Sequence, residues 1–219
     1  MDHHLLHIQR GVPIDGGGAT TQTYQVPKGN YQKVLEALTH IYENQDSTLA
    51  FRTGCRYKTC GLCAMQIDGK PRIACLTNLK DEMTIGPLKN LPVVRDLVVD
   101  RRMFFEKLRQ YELFLPEQEL GRLPRLKMPP SYRHLAQCRE CLCCVAAYEP
   151  YRLGASDFES PYIFVKLAQL HFDPRDRKDR LRQARELGIE HYRRVKAISC
   201  PFGISIVREA LRPLMEQVA

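Results

Sequence analysis

Phe51-Arg52-Thr53-Gly54-Cys55-Arg56-Tyr57-Lys58-Thr59-Cys60-Gly61-Leu62-Cys63 is the stretch on which the fold turns. With Cys75 it spells C-x4-C-x2-C-x11-C, and its first three cysteines reproduce the plant-type [2Fe–2S] spacing. Such a cluster needs four thiolates converging on one place. A tight loop supplies three, and a strand folding back supplies the fourth. Gly54 and Gly61 let the backbone turn closely, so that N–H groups can point at the sulfurs and help set the potential. Zinc also takes four cysteines, but zinc ribbons usually pair two C-x2-C knuckles, and here Cys75 stands alone.

Outward from that loop the pattern is that of a small mixed sheet. Leu5–Arg10 and Thr20–Val26 alternate and flank the turn residues Gly16-Gly17-Gly18, which predicts a hairpin. Asn30 is placed to cap a helix through Tyr31, Val34, Leu35, Leu38 and Ile41. Ala64–Ile67 and Arg72–Cys75 around Asp68-Gly69 predict a second hairpin. Helical character is expected from Val93 to Phe114, then a linker over Leu115–Pro130, which holds four prolines. Beyond it the pattern is helical: from Pro161 with Phe164, Leu167, Ala168 and His171 on one face, from Arg177 to Leu187 ended by Gly188, and from Ile204 to Val218.

A second set follows. Cys138, Cys141 and Cys144 form C-x2-C-x2-C, and the distant Cys200-Pro201 completes a bacterial-ferredoxin-type [4Fe–4S] ligand set. Cys143 is left over and is expected to pack.

The bulk numbers agree with this. Nine cysteines, an odd count without a secretory leader, favour metal ligation over a disulfide framework. No run reaches the roughly 18 apolar residues of a membrane span, and the N-terminus lacks signal- or transit-peptide character. The net charge of +8 concentrates at Arg101–Arg109 and Arg175–Arg194, where interspersed acids predict a solvated helix surface. No aromatic-interleaved basic patch points to nucleic acid. Gly16-Gly17-Gly18 does not precede a helix as a dinucleotide motif would, so the chain is not expected to bind a flavin itself.

Phe51–Arg56, Cys60–Met65 and the phrase Pro92-Val93-Val94-Arg95-Asp96-Leu97-Val98-Val99-Asp100 resemble the iron–sulfur subunit of succinate dehydrogenase and fumarate reductase, and the resemblance covers nearly the whole chain. It departs locally at Tyr57-Lys58, where that family usually has Glu-Gly. The resemblance implies an α+β fold: an N-terminal β-grasp plant-type ferredoxin domain (residues 1–105), then an all-α bacterial-ferredoxin-like domain (106–219). It implies a [2Fe–2S] cluster on Cys55, Cys60, Cys63 and Cys75, and a [4Fe–4S] cluster on Cys138, Cys141, Cys144 and Cys200. No residue is expected to be catalytic, the substrate site lying on another subunit. The partners it implies are an FAD-containing dehydrogenase or reductase subunit and a second electron carrier or redox subunit. The expected location is cytoplasmic, or peripheral at a membrane through partner subunits.

That family also carries a third cluster, [3Fe–4S]. Its first ligand aligns with Tyr148, and the pattern C-x5-C-x3-C-P places the other two at Glu190 and Lys196. All three thiolates are missing while the four of the preceding cluster remain. No [3Fe–4S] cluster is therefore expected, its cavity being refilled by Tyr148 with Glu190 and Lys196 neutralising each other. The family's tryptophan near the quinone is absent too, and His191, which matches a family histidine there, is expected to be a surface or packing residue. Two other readings stay open: a quinone-linked subunit with an atypical quinone route, and a zinc-stapled interaction or nucleic-acid-binding protein.

Overall fold

The computed structural model describes residues 2–11, 19–115 and 128–216. It divides into two compact units, residues 1–100 with 139–147, and residues 101–138 with 148–219.

The first unit is built on a five-stranded sheet: β1 (His3–Arg10), β2 (Thr20–Pro27), β3 (Ala64–Ile67), β4 (Lys70–Ile73) and β5 (Glu82–Gly86), in spatial order β2-β1-β5-β3-β4. Only β1 and β5 run parallel; the other neighbours are antiparallel. Both expected hairpins form, although the turn at Gly16-Gly17-Gly18 lies outside the described residues. The second is tighter than expected. Lys70 pairs with Ile67 directly across Asp68-Gly69, and Cys75 falls beyond the strand.

One helix, α1 (Val34–Asn44), buries Val34, Leu35, Ala37, Leu38 and Ile41 in the core with Leu6, Ile8, Val26, Met65 and Ile85. These positions recur at three- and four-residue steps, so one apolar stripe faces the sheet. The expected cap at Asn30 is corrected. The helix starts at Val34, where the Glu36 carboxylate accepts from the backbone N–H groups of Gln32 (2.8 Å) and Lys33 (2.9 Å). That carboxylate satisfies two donors ahead of the helix and leaves nothing for Asn30 to do.

The helix expected from Val93 is also corrected. Val93–Arg95 (β6) and Val98–Val99 (β7) form a two-stranded antiparallel ribbon, turning at Asp96 with φ +46°. Helix begins only at α2 (Arg102–Gln110). An apolar run this short fits both periods, and the turn at Asp96 decides it.

The remaining helices are short: α3 (Pro130–Leu135), α4 (Cys143–Ala147), α5 (Pro161–His171) and α6 (Arg180–Glu186). A 3-10 turn at Ile189–Tyr192 and a wide turn at Val207–Leu211 leading into α7 (Arg212–Glu216) complete the chain. Helix α5 has Pro161 in its first turn and buries eight of its eleven residues, which makes it the centre of the second unit. Helix α6 starts later than expected, where Asp179 accepts from the Arg182 N–H at 2.9 Å, and Gly188 (φ +79°) follows it in the left-handed conformation. Most of the expected linker, residues 116–127, lies outside the described residues. The basic run from Arg175 is matched by acids. Arg180, 1% exposed, holds Asp176 at 2.8 Å, and Arg182 holds Glu186 at 2.8 Å.

Candidate metal centre

The loop at Cys55–Cys63 is fixed at its entrance by two carboxylates. Asp46 accepts from Tyr24 Oη (2.6 Å), from Arg10 Nη1 (2.5 Å) and from the Thr48 N–H (2.9 Å). Asp96, almost fully buried, accepts from the N–H groups of Gly11 and Ala50, both at 2.9 Å, and lies 3.1 Å from Arg10 Nε. The Arg95 guanidinium donates to the Thr48 carbonyl at 2.9 Å, and the Leu97 N–H to the Ala50 carbonyl at 3.2 Å. The Pro92–Asp100 phrase thus has a physical role: its ribbon clamps residues 48–50, from which the cysteine loop departs. Arg10 joins the two carboxylates. Sequence reasoning missed Arg10, Tyr24 and Asp46, because nothing local marks them as partners.

Inside the loop, backbone donors converge on sulfur. Cys55 Sγ accepts from the N–H groups of Tyr57 (3.4 Å), Thr59 (3.3 Å) and Cys60 (3.2 Å), and Cys60 Sγ accepts from Leu62 (3.5 Å). The Thr59 hydroxyl and these N–H groups pull the Cys55 thiol down to about 6, so it favours thiolate. Burial pushes the Cys63 thiol up to about 12; it is 3% exposed and shares a hydrogen bond with Cys75. Cys55 thus interacts with Cys60, and Cys63 with both Cys75 and Cys60. Among the described residues no three potential ligands gather about a single ion.

Four thiols, with N–H dipoles aimed at the sulfurs of Cys55 and Cys60, fit a binuclear anionic cluster. Bound there, such a cluster would be held by these thiolates, and the dipoles would offset its negative charge.

The backbone at this loop is strained in a telling way. Arg56 (φ +57°) and Lys58 (φ +66°) are left-handed without being glycine. Lys58 stands where the resembling family usually has glycine, the residue that adopts this conformation without strain. Tyr57 is 82% exposed.

Of the second cysteine set, Cys141 is buried and Cys138, Cys144 and Cys200 are half-buried. Glu140 (φ +53°) and Leu142 (φ +62°) wind the Cys138–Cys144 loop tightly. Cys143 is wholly buried, and no disulfide joins any of the nine cysteines.

At the positions aligned with the missing third set, the expected Glu190–Lys196 pair does not form. Glu190 accepts instead from Arg193 Nε at 2.8 Å, one helical turn along, while Lys196 is exposed. A pairing three residues apart costs little chain entropy and wins over the longer one. Tyr148 does pack inward, stacked on Tyr192 with ring centres 4.7 Å apart and edge-on to Phe158. Phe164 meets Tyr192 at 5.4 Å, and the Tyr192 hydroxyl donates to the Glu159 carbonyl at 2.7 Å. His191 stacks on Phe158 with ring centres 4.4 Å apart, a packing role as expected. The packing around Tyr148 is aromatic, not ionic.

Comparison with known proteins agrees with this geometry. A family described as "2Fe-2S iron-sulfur cluster binding domain" matches residues 5–106. The chain is 33% identical over 186 residues to a fumarate reductase iron–sulfur subunit of Mycobacterium tuberculosis, covering 80% of this chain and 75% of that one. It is 33% identical over 171 residues to a subunit of the fumarate reductase (CoM/CoB) of Methanothermobacter marburgensis, covering 77% of this chain and 34% of that one. The chain spans about a third of the length of the longer relatives it matches. Its structure superposes on a chain of the Mycobacterium smegmatis Sdh1 complex in the apo form with a TM-score of 0.86 and 28% identity, covering 99% of this chain and 95% of that one. With an α+β fold, a clamped thiol loop and this likeness along most of its length, the chain belongs to the succinate dehydrogenase/fumarate reductase iron–sulfur subunit family.

Proposed function

We propose that this chain is the electron-transfer subunit of a flavin-dependent oxidoreductase, relaying electrons between an FAD-containing subunit and a second redox partner. Cys55, Cys60, Cys63 and Cys75 would hold a [2Fe–2S] cluster, and Cys138, Cys141, Cys144 and Cys200 a [4Fe–4S] cluster. When bound, such clusters accept and release one electron at a time, which suits a flavin's stepwise chemistry. The chain's own part is to fix the thiolates, aim N–H dipoles at them, and limit water around Cys63.

The observation that carries this reading is the sorting of the cysteines. Two complete ligand sets are kept, and the positions of a third hold Tyr148, Glu190 and Lys196. The stack of Tyr148 on Tyr192 supports a packed region in place of a third cluster. Electrons then leave from the [4Fe–4S] cluster, to a soluble carrier or another redox subunit and not to a quinone in the usual pocket. The likeness to a fumarate reductase named for CoM/CoB, and not for a quinone, supports a redox partner other than a quinone. No helix among the described residues is long and apolar enough to cross a membrane.

The test is reconstitution of the cluster-loaded chain with its flavoprotein and a quinone analogue. The expected result is no specific quinone turnover in the absence of a further subunit. Rapid, inhibitor-sensitive quinone turnover would refute the reading.

A further inference from the structure

Cys200 lies in the chain between two stretches, 196–198 and 204–208, that line one groove, and the chemistry of that groove bears on what receives the electron. The chain leaving Tyr192 and re-entering at Val207 borders an open groove of about 390 Å³. Its floor is apolar, made by Ile198, Ile204 and Val207. Its rim is cationic, made by Lys196, Arg208 and Arg212, all exposed.

Among the described residues, some cations of the same unit are neutralised and others, such as the exposed Arg185 and Arg194, are not; those of the rim belong mostly to the second kind. Arg175, Arg180, Arg182 and Arg193 each hold a carboxylate. Lys196 and Arg212 have no ion-pair partner among the described residues, and Arg208 shares Glu209 at 2.8 Å. Glu209 is itself engaged, accepting from the Ser205 N–H at 3.2 Å and lying 3.3 Å from His134 Nδ1. Three cations against one occupied carboxylate leave the rim positive. A positive rim around an apolar floor complements a surface of carboxylates around an apolar contact, and such complementarity chiefly raises the rate of encounter.

We infer that the groove edged by Lys196, Arg208 and Arg212 is the docking surface for an acidic electron-carrier protein, which takes its electron at the Cys200 side of the chain. One electron passes from the reduced cluster to the carrier's oxidised centre; the cluster is oxidised, the carrier reduced, and no bond or proton changes hands. The inference rests on the electron-transfer reading above and adds the chemistry of the acceptor.

The test uses the cluster-loaded chain and an acidic [2Fe–2S] ferredoxin as the probe. Lys196→Glu and Arg212→Glu are compared with Arg185→Glu, an exposed charge reversal on α6 at a residue that does not line the groove. Iron content and paramagnetic resonance are recorded first, so that loss of the clusters, which would sink the electron-transfer reading, is seen separately. Binding of the probe is followed by titration calorimetry and its reduction by stopped flow. The expected result is weaker binding and about tenfold slower reduction for each groove variant, both effects shrinking as salt is raised, with Arg185→Glu near wild type. Equal losses in all three variants, or no loss in any, would overturn the inference. So would salt-sensitive binding to vesicles of anionic phospholipid that the groove variants abolish while reduction of the probe is unchanged.

Discussion

A side chain on Gly61 would place its Cβ 2.5 Å from the carbonyl oxygen of Arg139 and 3.0 Å from Cys141 Cβ. Gly61 sits between Cys60 and Cys63, so the two cysteine loops approach each other through backbone at the one residue that has no side chain. Its φ of +66° adds a second reason for glycine. Gly69 has nearly the same φ, +69°, but open space around it. Gly61→Ala is therefore expected to cost more than Gly69→Ala. Strain alone accounts for about 1–2 kcal/mol at either site. The clash with backbone adds to it at Gly61 alone. Denaturation midpoints and iron content of the two variants check this; equal midpoints would contradict it.

Lys58 offers the opposite sign. Its left-handed backbone (φ +66°) and exposed side chain predict that Lys58→Gly relieves strain. Glycine's larger unfolded-state entropy offsets part of the gain. The expected outcome is a net stabilisation of up to about 1 kcal/mol, with unchanged cluster absorption. Thermal melts of the loaded protein, followed in the visible band, read it out.

Asp96 holds two backbone N–H groups and faces Arg10 while almost fully buried. Asp96→Asn keeps the shape but removes the charge opposite Arg10. Removing one partner of a buried pair typically costs about 3–5 kcal/mol, and the amide retains part of the hydrogen bonding, so about 2–4 kcal/mol is expected. Because Asp96 also fixes Ala50, loss of [2Fe–2S] absorption should accompany unfolding at lower denaturant. Cluster loss with no change in stability would show that the clamp acts otherwise.

The Tyr24 phenol is pushed up to about 12, first by burial and then by its hydrogen bond to Asp46. A folded-state value above the unfolded value of about 10 means the stabilisation is complete below pH 10 and is lost as pH rises through 12. Tyr24→Phe is thus expected to be less stable by about 1–2 kcal/mol at neutral pH. The difference from wild type should shrink between pH 10 and pH 12. Urea denaturation across that range, with phenolate absorbance recorded alongside, measures it. A difference that stays constant would place the phenol's titration elsewhere.

What the sequence made legible was what short-range chemistry dictates. Cysteine spacing named the thiol loop, Asp68-Gly69 the second hairpin, and Pro161 the start of the central helix. What it hid depended on distance along the chain. Arg10, Tyr24 and Asp46 meet only because β1, β2 and the segment after α1 are brought together by the sheet. The ribbon at Val93–Val99 was read as helix because five apolar residues among seven satisfy either period, and the left-handed turn at Asp96 leaves no local mark. The Glu190–Lys196 pair was expected from alignment, whereas Arg193, one turn away, had the shorter path to the same carboxylate.

The central claim is a count of clusters, and paramagnetic resonance with iron and acid-labile sulfide analysis of the anaerobically prepared chain tests it most directly. Two signals in the reduced protein, with no three-iron signal in the oxidised protein and about six iron and six sulfide per chain, are the result expected for one [2Fe–2S] and one [4Fe–4S] cluster. An oxidised three-iron signal, or a colourless protein holding zinc and no sulfide, would contradict it.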